Sequence, residues 1–409
     1  MITALVAALL LQAAGASAPS DRPQTIQPDV EGRDVVAPPA PPRTPLTVTQ
    51  VPNELGPPNA RTGRPYKGGL WAPDYVYTLA PGVTFKEVVW WSEGVPCYAK
   101  IFYPKGFRPD GKAPAVVLAQ GWAGTHYSIE KYGARMAERG LVAMVIDYRG
   151  WGASDGVPRL PKPLRVGGSS KRDTEGKTRV VTTEVEMVRT RLSATDQQRD
   201  MRNAISYIQG EPGVDPNRIG VWGSSYAGGN ALAVAGQDVR VKAVSVQIPA
   251  FQGPATFTKM GPPGGLQDSI RRARTGRGGE MVTGFSRRVA IDLDQGDPPF
   301  HRAWAMLINR PTQVVMAEFE ELSGQPEVMK PGLAPLQAKG VPVNFVTVPA
   351  VTHFEIYVNS YVDAQGRTVT SNAFETGANA AADWLWRHLT SDQAVQPAPG
   401  DPPPTPRRP

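Results

Sequence analysis

One cysteine, Cys97, stands in the 409 residues, so the chain can form no internal disulfide and no Cys-X-X-Cys zinc or redox site. Histidine is scarce too, at 4, which leaves few candidates for a base that titrates near neutrality. No apolar run approaches the roughly 20 residues of a membrane-spanning helix. The pI is about 9.4, yet the basic residues lack interleaved aromatics and any nucleic-acid module, which argues against a nucleic-acid partner. No internal repeat is present.

With 41% apolar, 20% charged and 8% aromatic residues, the composition is that of a globular protein able to bury a core. Its 42 prolines crowd the ends, with 11 between Pro19 and Pro58 and 7 between Pro397 and Pro409. The excess therefore marks flanking segments. Residues 19–82 read as a linker or surface strap and 391–409 as a disordered Pro-rich tail. Ahead of them, the short apolar run from Leu5 to Leu11 leads into small residues ending at Ala16 and Ala18. That is the outline of a secretory signal over 1–18, although no Lys or Arg precedes the run, and it predicts a periplasmic or secreted protein.

The pattern changes at Val83. Residues 83–91 and 97–103, separated by a turn containing Glu93 and Gly94, read as an antiparallel hairpin. Apolar runs at 115–119, 141–146, 219–222, 241–246, 312–316 and 343–348 then have the look of strands buried on both faces of a parallel sheet. Helical spacing at 129–139, 197–209 and 374–389 lies between or after them. This alternation predicts an α/β, mostly parallel, doubly wound sheet over 83–390. Residues 157–195 and 251–299 interrupt it as lid-like insertions. Residues 157–195 hold nine Lys or Arg against four acids, and residues 259–288 hold seven against two. Net basic insertions beside a site would draw anionic substrates.

The sharpest motif is G-S-S-Y-A-G-G over 223–229, a strand running straight into a turn and a helix. Such a turn is tight enough that the residues two before and two after a nucleophile must be small. Ser225 meets this with Gly223 and Ala227; Ser224 would put Trp222 in the first slot. A serine hydroxyl needs a base, and His353, directly after the last strand, lies at the same sheet edge. His126 is its competitor, while His301 and His388 fall at an insertion end and a helix end. A carboxylate must orient the imidazole. Glu318, Glu320 and Glu321 qualify, and a place in the loop just beyond the strand favours Glu320, with Glu321 projecting elsewhere. Backbone N–H groups for an oxyanion should come from Tyr226, after the nucleophile, and Trp122, in the loop after 115–119.

In their order, Gly121 and Trp122, the run 147–155, the 223–229 turn, the Glu-rich 317–322 and 350–357 resemble the α/β-hydrolase superfamily. The likeness is nearest to bacterial serine hydrolases related to dienelactone hydrolases, acetyl xylan esterases and proline-specific dipeptidyl peptidases, and covers about 83–390. Gln120 stands where a His is common, and Ser225 where dienelactone hydrolases carry a thiol. The resemblance implies acyl-enzyme chemistry on a small-molecule ester with Ser225, His353 and Glu320, without metal or organic cofactor. A serine peptidase and a non-catalytic envelope binding protein of the same fold are the alternatives. Residues 149–155 read as structural.

Overall fold

The computed structural model describes residues 36–37, 77–122, 124–162, 180–251, 264–277, 281–282, 290–291, 307–322, 326–362 and 367–391. The expected signal at 1–18, most of the Pro-rich flanks and His301 lie outside them.

Nine strands make the main sheet: β1 (Val36–Ala37), β2 (Thr84–Ser92), β3 (Val95–Tyr103), β4 (Ala113–Ala119), β5 (Val142–Ile146), β6 (Val214–Ser224), β7 (Val241–Gln247), β8 (Thr312–Phe319) and β9 (Val343–Thr352). Their spatial order is β1-β2-β3-β5-β4-β6-β7-β8-β9. The first three are antiparallel, and β3 joins β5 antiparallel. The other six run parallel to one another. The hairpin β2–β3 closes through Glu93 and Gly94, both at positive φ, the two-residue turn whose twist matches that of the strands.

Helices cover both faces, which is why β4 and β5 are apolar throughout. Along β4, Val117 joins the core beneath α2 (Ala194–Gln209) and α3 (Tyr226–Gln237), whereas Val116 and Leu118 point to the opposite core under α1 (Glu130–Glu138) and α6 (Ala373–Thr390). In α6, Phe374, Ala378, Ala381, Trp384 and Leu385 form the buried face their spacing predicts. Burial of each large apolar side chain contributes about 1.5–3 kcal/mol. Helix α2 starts three residues before the predicted Gln197 because Ser193 caps it, its hydroxyl accepting the Asp196 N–H.

One expectation needs correction. The 343–348 run is an edge strand, mostly half-buried, and not a strand covered on both faces. Helix α5 (Pro326–Ala338) was not legible, because Pro331 and Pro335 lie inside it and proline ordinarily interrupts a helix. Its Met329, Leu333 and Leu336 nonetheless bury one face.

The insertions contain more regular structure than their sequences suggest. Val157–Arg159 pairs with Glu186–Val188, and Arg191–Leu192 pairs with Ala290–Ile291, which in turn pairs with Met281–Val282. The two insertions thus meet in one three-stranded sheet. Helix α4 (Gly265–Ala273) belongs to the second. Residues 149–155 are tied to their neighbours: Arg149 pairs with buried Asp200, and Arg189 of the first insertion donates to the carbonyls of Gly152 and Ser154.

Candidate active site

Strand β6 runs into α3 through Ser225, whose φ of 54° and ψ of −122° lie outside the regions an L-residue ordinarily occupies. The strain is held from several directions. Ser225 N–H donates to the Gln247 carbonyl at 2.9 Å, and its carbonyl accepts from Gly228 at 2.9 Å and Ala250 at 2.8 Å. Glycine at 223 is a requirement of space, since a Cβ there would stand 2.1 Å from the Ala227 carbonyl oxygen. A turn over-determined in this way can keep a strained residue with its side chain presented at the sheet edge.

The Oγ of Ser225 lies 3.1 Å from Nε2 of His353. On the other side of the ring, Nδ1 stands 2.8 and 2.9 Å from the two carboxylate oxygens of Glu320. A carboxylate at Nδ1 keeps the proton on that nitrogen and leaves the Nε2 lone pair facing the serine hydroxyl. Glu320 is fully buried just past β8, and its Oε1 also accepts the Leu322 N–H at 2.8 Å. Burial works to lower the His353 pKa, but the charge and hydrogen bond of Glu320 overcome it, so the imidazole titrates above its ordinary value.

The three glutamates divide their work. Glu318 accepts the backbone N–H of Ala350, a non-glycine residue at φ 59° in the bulged end of β9. Glu321 does not project away from the site, as the sequence suggested: its Oε2 accepts the backbone N–H of His353 at 3.0 Å. The competing histidine is committed elsewhere. His126 is buried with Nδ1 2.6 Å from Asp147, which also accepts its backbone N–H. His388 packs on Trp384.

Both oxyanion candidates adjoin Ser225. Tyr226 is the first residue of α3, at the positive end of its dipole. A Cβ on Gly121 would lie 3.0 Å from Ser225 Cβ, so the loop after β4 passes against the elbow. Its next residue, Trp122, meets Tyr226 edge-on, with ring centroids 5.6 Å apart. Ser224, by contrast, is buried with its hydroxyl on Tyr357. Sequence reasoning misses both that pair and the grip of Glu321; Tyr357 lies within the 350–357 motif, but no local pattern marks its partner.

The insertions are basic overall, yet some of that charge is offset within them. Arg159 and Arg277 pair with Glu186, and Arg271 and Arg272 with Asp268.

Comparison with known proteins agrees with this architecture. A model of the family described as X-Pro dipeptidyl-peptidase (S15 family) matches residues 93–268. Quorum-quenching protein AidA of Acinetobacter baumannii is 28% identical over 42% of this chain and 46% of its own length. Thiohydrolase apmlB of Arthrinium phaeospermum is 30% identical over 34% of this chain and 36% of its own. The alignments thus span less than half the length of these curated relatives. Among solved structures, the α/β hydrolase GrgF from a Penicillium species superposes with a TM-score of 0.53 at 16% identity, over 75% of this chain and 99% of that one. The chain has the α/β-hydrolase fold.

Proposed function

We propose that the protein is a serine hydrolase that cleaves carboxylic esters through a covalent acyl-enzyme, with Ser225 as nucleophile, His353 as base and Glu320 as the acid that orients it. The observation carrying this reading is the unbroken hydrogen-bond chain Ser225–His353–Glu320 on a strained elbow. In the first half-reaction Ser225 Oγ attacks the ester carbonyl while Nε2 of His353 takes the hydroxyl proton. The carbonyl oxygen becomes an oxyanion facing the N–H groups of Tyr226 and Trp122. As the tetrahedral intermediate collapses, the imidazolium gives its proton to the departing alkoxide and an acyl-serine remains. Water then repeats the sequence, releasing the acid and restoring the serine.

The family description matched by 93–268 supports a second reading, a peptidase, since the same groups cleave amides when the imidazolium protonates a leaving amine. A thioester is a third leaving-group class, in keeping with the thiohydrolase relative. A panel of p-nitrophenyl esters, matched thioesters and X-Pro anilides ranks the three by kcat/KM. Fluorophosphonate labelling located on the peptide holding Ser225 supports the serine-hydrolase reading; wild type that neither labels nor turns over any of the panel overturns it in favour of a binding protein. The remaining basic surplus of the insertions supports a preference for esters bearing a carboxylate. The N-terminal pattern supports export to the periplasm or medium, and among the described residues no helix is long and apolar enough to cross a membrane.

A further inference from the structure

Ser224 and Tyr357 are 133 positions apart in the chain, yet their hydroxyl oxygens stand 2.5 Å apart. Each belongs to a segment that carries a reacting group. Ser224 immediately precedes Ser225; Tyr357 ends the short helical turn Glu355–Tyr357 that follows His353. The backbone of Tyr357 is also anchored, because its carbonyl accepts Lys131 Nζ from α1. That ammonium is buried and lies 4.6 Å from the centre of the Phe374 ring. At its other end the His353 loop is held by Glu321 on the His353 N–H. The loop bearing the imidazole is therefore fastened on both sides of the histidine, and the Tyr357 hydroxyl joins it side chain to side chain to the residue next to the nucleophile.

We propose that Tyr357 is a positioning residue: its hydroxyl, bonded to Ser224, sets the separation of the His353 loop from the Ser225 elbow and so the alignment of Nε2 on the serine hydroxyl. The proposal rests on reading Ser225 and His353 as nucleophile and base. Tyr357 touches no reacting atom. A plain alternative exists, since the buried Ser224 hydroxyl and the half-buried Tyr357 hydroxyl also satisfy one another simply to avoid an unpaired polar group. On that account their loss lowers stability and leaves the chemistry alone. The positioning account differs because catalytic rate depends on alignment more steeply than binding does, and a displacement of about 1 Å can cost up to about 10²-fold in rate.

The test compares wild type with Tyr357→Phe, Ser224→Ala and the double variant, using p-nitrophenyl acetate and the low-field proton resonance of His353 Nδ1–H, assigned by its loss in His353→Gln. Each single variant is expected to lower kcat about tenfold while KM stays within about twofold. The double variant should be no slower than the slower single one, because both remove the same bond. In Tyr357→Phe the His353 resonance should broaden or move. Wild-type kcat and resonance in Tyr357→Phe, or losses that multiply in the double variant, overturn the proposal. Should wild type neither react with a fluorophosphonate nor hydrolyse any ester, the serine-hydrolase reading fails separately. The resonance then decides the role of Tyr357 alone, unchanged against it and altered for it.

Discussion

Glu321 and His353 meet through the backbone: Oε2 of Glu321 accepts the main-chain N–H of His353 at 3.0 Å, while the adjacent Glu320 holds the ring of the same histidine. Two neighbouring carboxyl groups thus grip one residue, and they cannot both ionise freely in so dry a place. Burial, followed by the charge on Glu320, pushes the Glu321 carboxyl up to about 8. Its Oε1 is buried with no hydrogen-bond partner among the described residues, a suitable place for the retained proton.

A stability prediction comes from that proton. Between the ordinary carboxyl range and pH 8 the folded state binds a proton at Glu321 that the unfolded chain has released, so folding stability must fall as pH rises through this window. Glu321→Gln, which keeps an oxygen for the His353 N–H, abolishes that part of the decline. Thermal melts from pH 5 to pH 9 should show the variant gaining on wild type up to pH 8. A constant difference across the range would mean that Glu321 is ionised throughout.

The pH–rate profile reports on His353. In the proposed mechanism neutral imidazole is the working base, and the His353 pKa is raised by Glu320 against the opposing effect of burial. kcat/KM should therefore fall on the acid side with a midpoint above the ordinary value of about 6.5. Titration of ester hydrolysis from pH 5 to 9 measures it, and a midpoint below that value contradicts the direction.

Removing the proposed nucleophile should leave the fold intact and stop the chemistry. Ser225→Ala is expected to lose about 10³-fold or more in kcat, with an unchanged circular dichroism spectrum. Ser224→Ala should lose far less. The reverse ranking would show that the elbow presents the other serine.

Among the glutamates, Glu320→Gln should be far the most damaging. An amide at Nδ1 no longer enforces the tautomer or stabilises imidazolium, a loss of up to about 10⁴-fold in comparable triads. Glu318→Gln still offers an oxygen to the Ala350 N–H and should change kcat by no more than about twofold. Equal losses at both positions would break the assignment.

Charge steering is tested at the second insertion. Neutralising Arg271, Arg272 and Arg274 together should lower kcat/KM for an ester bearing a carboxylate by a few-fold while sparing its neutral isostere. Because Asp268 already offsets part of that charge, the change should be small and should vanish in high salt, where exposed charges are screened over a few ångström. A triple variant with wild-type kcat/KM for both esters would make these arginines ordinary surface.

The apolar runs made the inner parallel strands legible because burial on two faces leaves a strand few polar alternatives. The elbow was legible for a similar reason: only small residues fit at Gly223 and Ala227, whatever else the chain does. His353 could be placed from its position after the last strand. Among Glu318, Glu320 and Glu321, position beyond the strand pointed to Glu320. No local rule shows that Glu321 turns back to the His353 backbone or that Tyr357 reaches Ser224. Periods of 2 and 3.6 residues are written by near neighbours in sequence, whereas contacts 133 positions apart depend on how strands and helices stack. The sequence by itself determined the inner strands, most of the helices and which residues could do chemistry; only the tertiary structure decided which side chains hold them in place, because those bonds exist only once the sheet has set its register.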